Sequence, residues 1–445
     1  MAESARARLK EWLASGQARL LPLTFPQREL WETASVPPAD PSNNICSLLD
    51  IRGPLTPELC REALGMVVAR QEAMRTTILP GKERPVQLVR ASAEPVLSVI
   101  ELAAGSSSEE AVIAALQSVF ASPFDLVAGP LYRLAMVRRG PDHYALGLAI
   151  HHSIADGWTV TSFVEDFLTA CIAVWQRSGK DMTRLQGLRN ELASLPMTYG
   201  QWGAAERARW NADSLARASS RWSHRLRGAG LFFAASHPVA SERLEKWVTH
   251  LPAELGEGVR ALARRTGTTP FGVLAAAFRT ALHRWKGAKD VVLGTPVAGR
   301  GKSAVRETMG YFSDVVPLRC LIDPSKSFEE SVKQVHEQAL EDFAEAMPFA
   351  ELVSAVEANS PRGRHAVYDV RFAVQNHPFP DIVVPGISTS LRTLSSGTSR
   401  FDLACELTED GKKFEVIWLH RPSVVDRPSV EALDRHFRDV LEGVS

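Results

Sequence analysis

The run His151-His152-Ser153-Ile154-Ala155-Asp156-Gly157-Trp158 brings together two imidazoles, a carboxylate and a flexible glycine. An imidazole titrates near neutrality, so it can take a proton from an attacking nucleophile. It can also present one ring nitrogen to a cleft while a neighbour holds the other and fixes the tautomer. Ordinary roles are open to the same residues. A histidine pair at a strand end can be hydrogen-bonded core and surface, Asp156 can cap a following helix, and Gly157 can supply a positive φ.

The flanking sequence says how these groups are positioned. Apolar runs over 131–137 and 143–150 are joined by the turn signal Arg139-Gly140-Pro141-Asp142, which predicts a hairpin with the histidines at its exit. Beyond the motif, Val160, Phe163, Phe167, Leu168, Cys171 and Val174 recur at helical spacing over 159–175. The motif is therefore expected on a tight loop between a strand and a helix.

Upstream, the sequence predicts a strand over 45–51 and a helix begun by Thr56-Pro57-Glu58, a cap with proline in the first turn. The polar stretch 176–195, with Ser178-Gly179-Lys180-Asp181, is the best boundary. We accordingly expect a first lobe at 1–177, a linker at 178–197 and a second lobe at 198–445. The second lobe opens on a helical stretch with Trp202, Trp210 and Trp222, read as core packing because large rings usually serve burial. Thr268 is expected to cap a helix through Phe271, Leu274, Phe278 and Leu282. A strand at 291–293, a helix over 328–346 and strands at 368–375 and 414–419 complete a mixed α/β (α+β) pattern without internal repeats.

Composition bounds the alternatives. The chain has 445 residues, 45% hydrophobic and 23% charged, which is enough for two or more cores. Its 51 basic and 51 acidic residues cancel, leaving no electrostatic footprint for nucleic acid or an anionic membrane. Cys46, Cys60, Cys171, Cys320 and Cys405 are odd in number and widely spaced, without a C-x-x-C pair, which suits a reducing cytoplasm. No signal peptide or long apolar span is evident. The adjacent histidines have no nearby His or Cys that would complete a metal site. There is no Gly-Gly dipeptide, hence neither a Gly-Gly-x-Ser carrier attachment site nor the phosphate-cradling loop of an adenylating enzyme.

The pattern His-His-x-x-x-Asp-Gly resembles the signature of the condensation domains of nonribosomal peptide synthetases, in the chloramphenicol acetyltransferase-like superfamily. Further segments resemble that family's motifs in order: Leu23-Thr24-Phe25-Pro26-Gln27-Arg28-Glu29-Leu30-Trp31, then Arg70-Gln71-Glu72-Ala73-Met74-Arg75-Thr76 with glutamine where the family has histidine. Tyr199-Gly200-Gln201-Trp202 is a weak counterpart of a tyrosine and tryptophan motif. Gly294-Thr295-Pro296-Val297-Ala298-Gly299-Arg300, Met309-Gly310-Tyr311-Phe312-Ser313-Asp314, Met347-Pro348-Phe349 and Arg400-Phe401-Asp402-Leu403 follow. The resemblance covers about 20–443.

The resemblance implies two acyltransferase-like lobes packed as a V around a channel. A carrier protein would deliver an acyl or aminoacyl thioester there on its phosphopantetheine arm, with no cofactor bound intrinsically. The acceptor, an amine or hydroxyl, would be carrier-bound or a free small molecule, and the product an amide or ester. His152 would meet the nucleophile, His151 would orient, Asp156 would pair with Arg300, and Gly157 would leave room beside the histidine. Arg70 and Arg75 match the family's paired arginines and are read as structural. Trp158, Tyr311, Ser313 and Asp314 are expected along the channel. Asp314 stands where many members have asparagine, and an ionised carboxylate only accepts hydrogen bonds, so a cationic or hydroxylated acceptor is one reading and a solvated strand end the other. The family is often monomeric, and a freestanding cytoplasmic enzyme is expected, with an excised domain of a larger synthetase as the alternative. Other readings are an O-acyltransferase using coenzyme A or a polyketide carrier, an epimerase-like relative, and a silent recruitment domain.

Overall fold

The structure, a computed structural model, describes residues 2–33, 41–81, 84–102, 107–177, 191–233, 244–356, 367–375, 387–394, 401–410 and 413–443. Most of the expected linker, together with Arg400, lies outside the described residues.

The hairpin read from the sequence forms from Tyr132–Gly140 and His143–His151, paired antiparallel with a register shift near its turn, where Asp142 takes a φ of 53°. These are central strands of a five-stranded sheet ordered Ser388–Leu394, Asn44–Arg52, His143–His151, Tyr132–Gly140, Leu97–Glu101. The last strand is parallel to its neighbour and the rest are antiparallel. Helices Pro57–Arg70, Glu109–Ala121 and Gly157–Arg177 pack with this sheet around a core that includes Ile51, Leu64, Leu116, Ile150 and Phe167. Thr56 caps the first of these helices by accepting from Leu59 N–H, with Pro57 at its start.

The second sheet has six strands in the order Asp314–Leu321, Asp290–Val297, Val370–Gln375, Leu403–Asp410, Lys413–His420, Glu245–Leu251. Val370–Gln375 runs parallel to both neighbours, and the other pairs are antiparallel. Helices Ala253–Thr266, Pro270–Lys286, Phe328–Ala344 and Arg427–Glu442 accompany it, around a core with Phe278, Leu293, Phe372, Trp418 and Phe437. The helix expected to start at Thr268 is capped one residue later, by Thr269, whose hydroxyl oxygen accepts from Gly272 N–H. Thr268 instead pairs its hydroxyl with that of Thr266 at 2.9 Å. Pro270 at the first helical position explains the choice, because it lacks the N–H that a helix start leaves orphaned. Trp222 and Trp202 are buried, and Trp210 packs against the second core.

One strand departs from the expected division. Ser388–Leu394 follows the second lobe's elements in the chain, yet pairs with Asn44–Arg52 at the edge of the first sheet. A small third sheet of Ala18–Pro22, Val86–Arg90 and Thr76–Leu79 belongs to the N-terminal half. Between the two large cores lies a separate buried cluster of Tyr199, Trp202, Val305 and Phe312. That seam adjoins the histidine loop.

Candidate active site

His151 ends the central strand, and a single 3-10 turn, His152–Ile154, separates it from the helix Gly157–Arg177. His151 is buried, with its ring edge-on to Phe124. Its Nδ1 accepts from Ser153 N–H at 3.2 Å and lies 2.8 Å from Ser153 Oγ. Burial, and then the charge of neighbouring His152, push the His151 imidazole down to about 3. A ring held neutral in this way has little appetite for a proton near neutrality. His152 is half-buried, and its ring lies 4.3 Å from that of Tyr311, tilted by 58°. The two adjacent histidines thus occupy different environments.

Asp156 does two jobs at once. Its Oδ1 accepts from Thr159 N–H at 2.8 Å, the capping geometry at the start of the helix, and from Thr159 Oγ1 at 2.9 Å. The same oxygen accepts from Arg300 Nη2 at 3.0 Å, while Oδ2 accepts from Phe312 N–H at 3.1 Å. Both side chains of this ion pair are essentially inaccessible, at 1% and 2% exposure. Arg300 Nη1 donates to the carbonyls of Val305 (2.8 Å) and Thr308 (2.6 Å), and its guanidinium lies 4.0 Å from the Phe312 ring centroid. Burial lowers the Arg300 pKa from its usual value, and Asp156 offsets part of that. Gly299 sets up this arginine with a φ of +64°, and a Cβ there would stand 2.0 Å from Phe312 O. Gly157 is an exposed first residue of its helix, so its place in the fold is a helix start rather than a left-handed turn.

The remaining expected channel residues lie on both sides of the seam. Trp158 donates from Nε1 to Arg306 O at 3.0 Å, so its ring is tied across the seam. Tyr311 and Ser313 are half-buried. Asp314 begins the strand Asp314–Leu321, with Oδ1 accepting from Val315 N–H at 2.8 Å and Oδ2 from Phe349 N–H at 3.2 Å. Burial pushes its carboxyl up to about 7; those two N–H groups pull down, and Glu29 and Glu206 add to the rise.

Arg70 and Arg75 are structural in their contacts. Arg70 reaches Asp166 and Glu307, each at 2.5 Å, and Ala193 O at 2.8 Å. Arg75 donates to Val68 O, Ala69 O, Arg90 O and Ala91 O, tying the end of a helix to a strand.

Several supporting residues have no obvious chemical signal in the sequence. Thr24 and Gln27 form a reciprocal cap, and Gln27 Nε2 then donates to Ser153 O at 2.8 Å, beneath the histidine turn. Tyr199 donates its hydroxyl to Tyr311 O at 2.8 Å, which leaves that oxygen as acceptor for Thr24 Oγ1 at 2.8 Å. Thr159 Oγ1 lies 2.8 Å from Gly310 O and accepts from Gly310 N–H at 3.1 Å. The Thr-x-x-Gln spacing announces a cap rather than a loop support, and the family-like motifs that contain Thr24, Gln27, Tyr199 and Gly310 mark these positions without saying what they hold.

A family model described as Condensation domain matches residues 17–445. The chain belongs to the condensation-domain family. It is 31% identical over 401 residues to phosphinothricin tripeptide synthetase PhsC of Streptomyces viridochromogenes, covering 87% of this chain and 36% of that protein. Against cyclosporin synthetase simA of Tolypocladium inflatum the identity is 31% over 370 residues, covering 81% of this chain and 2% of the relative. The condensation domain thus spans only a minor part of either synthetase. Its fold matches the first condensation domain of the calcium-dependent antibiotic synthetase, solved with a substrate analogue, with a TM-score of 0.78 and 23% identity over 95% of this chain and 96% of that one. It also matches the X-domain of teicoplanin biosynthesis, solved as a complex with OxyB, with a TM-score of 0.81 and 23% identity over 95% and 93% of the two chains. No helix among the described residues is long and apolar enough to cross a membrane.

Proposed function

We propose that this condensation domain joins an acyl or aminoacyl thioester, carried on the phosphopantetheine arm of a carrier protein, to an amine or hydroxyl acceptor. The product is an amide or ester, and the thiol of the arm leaves. The observation that carries this reading is the contrast between the two histidines. His151 is locked by Ser153 and stripped of basicity, whereas His152 is half-buried on the same turn. His152 is the residue that meets the nucleophile. It accepts the proton from an attacking hydroxyl, which is a poor nucleophile without a base. For an amine that enters already deprotonated, it holds the nitrogen against the thioester carbonyl and stabilises the tetrahedral intermediate. The Asp156–Arg300 pair acts through architecture, fixing the start of the helix and the backbone of Phe312 on either side of the turn.

The test is intact-mass detection of acyl transfer from a loaded carrier protein to a panel of amines and alcohols. His152→Ala is expected to lose about 10²- to 10⁴-fold in rate while melting like the parent. A folded His152→Ala protein with the parent's rate would refute the assignment. The match to an X-domain solved with OxyB favours one second reading, recruitment of a protein partner. Carrier binding without turnover across the whole panel would select it.

A further inference from the structure

The segment 306–312 belongs to the second lobe by sequence but is fastened to the first. Met309 is fully buried in the first lobe's core, and Gly310 packs so closely on Tyr199 that a Cβ would stand 2.3 Å from that ring. From the first lobe, Thr159 and Asp156 bond the strap's backbone as described above, and Tyr199 of the adjoining buried cluster donates to Tyr311 O. Gln71 grips the strap at its other end. It is fully buried, and its amide makes three bonds at once: Nε2 donates to Asp166 Oδ2 at 2.7 Å and to Glu307 O at 2.9 Å, while Oε1 accepts from Met309 N–H at 2.9 Å.

A primary amide carries two donors and an acceptor on one planar group, which is what these three partners require. A carboxylate there would offer no donor and would face Asp166 and a carbonyl. A neutral imidazole has one donor and one acceptor, so it could serve at most two of the three. Two residues beyond Met309 the strap delivers Tyr311, whose ring lies against His152. The side chain opposite the histidine is therefore placed by a backbone that Gln71 holds in register.

We propose that Gln71 is a positioning residue for the reaction, holding the 306–312 strap so that the Tyr311 ring packs on His152. It touches no substrate and acts through the strap, and its role rests on the condensation reading given above. The expected consequence of loosening the strap is a misplaced wall beside the histidine. Misplacements of this kind, made at a distance from the chemistry, cost about a hundredfold.

The experiment uses the full chain with histidine labelled in ¹³C and ¹⁵N, the His152 Cε1–H signal being assigned by its loss in His152→Ala. Tyr311→Leu removes the aromatic ring and shows where the His152 signal falls without the ring current. Gln71→Met keeps length and volume but no hydrogen bonds, and Gln71→Glu keeps the acceptor and loses both donors. In both variants the His152 signal is expected to move towards the Tyr311→Leu position. The transfer assay is expected to show kcat reduced about ten- to a hundredfold with little change in KM for the donor. A His152 signal at its parental position in folded Gln71→Met, or in Tyr311→Leu should the Gln71 variants not fold, overturns the proposal. The signal is read without turnover, so failure of the condensation reading would show itself separately, as absent transfer with the shift intact.

Discussion

Replacing Asp156 by alanine tests the architecture around the histidine turn most directly. The change strands Arg300, whose side chain is 1% exposed, without the carboxylate that balances its charge. Breaking a buried pair from one side costs about 3–5 kcal/mol, and loss of the cap on Thr159 N–H adds about 1 kcal/mol. For a cooperative unit the size of one lobe, about 2–4 °C of Tm accompanies each kcal/mol, so Asp156→Ala should melt roughly 8–24 °C below the parent. Asp156→Asn keeps one oxygen to cap Thr159 N–H but turns its amide N–H2 towards Phe312 N–H, and should recover at most about 1 kcal/mol of that loss. The double variant Asp156→Ala with Arg300→Met leaves neither charge orphaned and should be milder than Asp156→Ala alone. Thermal and urea unfolding, followed by circular dichroism on the four proteins, provide the measurements. An Asp156→Ala protein within about 1 kcal/mol of the parent, or a double variant no better than the single one, would refute the reasoning.

Further expectations concern pH and packing. His151 is held neutral down to about 3, so the unfolded chain binds the extra proton between that value and the ordinary histidine range. Protonation of His151 in the unfolded chain costs the native state on the order of 5 kcal/mol as pH falls from about 6.5 towards 3, and this acid-side loss should be absent from the stability curve of His151→Gln. Gly310→Ala forces a methyl into the buried Tyr199 ring and should cost about 1–3 kcal/mol, read as a lowered urea midpoint. If Asp314 meets the acceptor, the preference for cationic over neutral acceptors should grow as pH rises through about 7, where its carboxyl ionises, and should vanish in Asp314→Asn. Unchanged acceptor preference in that variant would assign Asp314 to the N–H groups of Val315 and Phe349 alone.

Local periodicity and punctuation made much of the fold legible. The hairpin, the helix after the histidines and the Thr56 cap depend on alternation, 3.6-residue spacing and side-chain oxygens at helix starts, all short-range properties. The histidine–aspartate segment was legible for the same reason, since its members lie close together along the chain. What sequence could not convey is which neighbours each group would meet. His151 and His152 are adjacent and identical in type, yet one is buried on Ser153 and the other half-buried against Tyr311. Their difference arises from surroundings supplied by distant segments. Ser388–Leu394 is polar in pattern, and only its partner strand assigns it to the first sheet. Gln71 reads in the sequence as a plain replacement of a histidine, because its three partners come from positions 166, 307 and 309. Chemistry-bearing residue types were thus determined by the sequence alone. Their protonation, orientation and mutual support were decided by tertiary structure, because desolvation and hydrogen-bond satisfaction depend on what folding brings within about 3 Å.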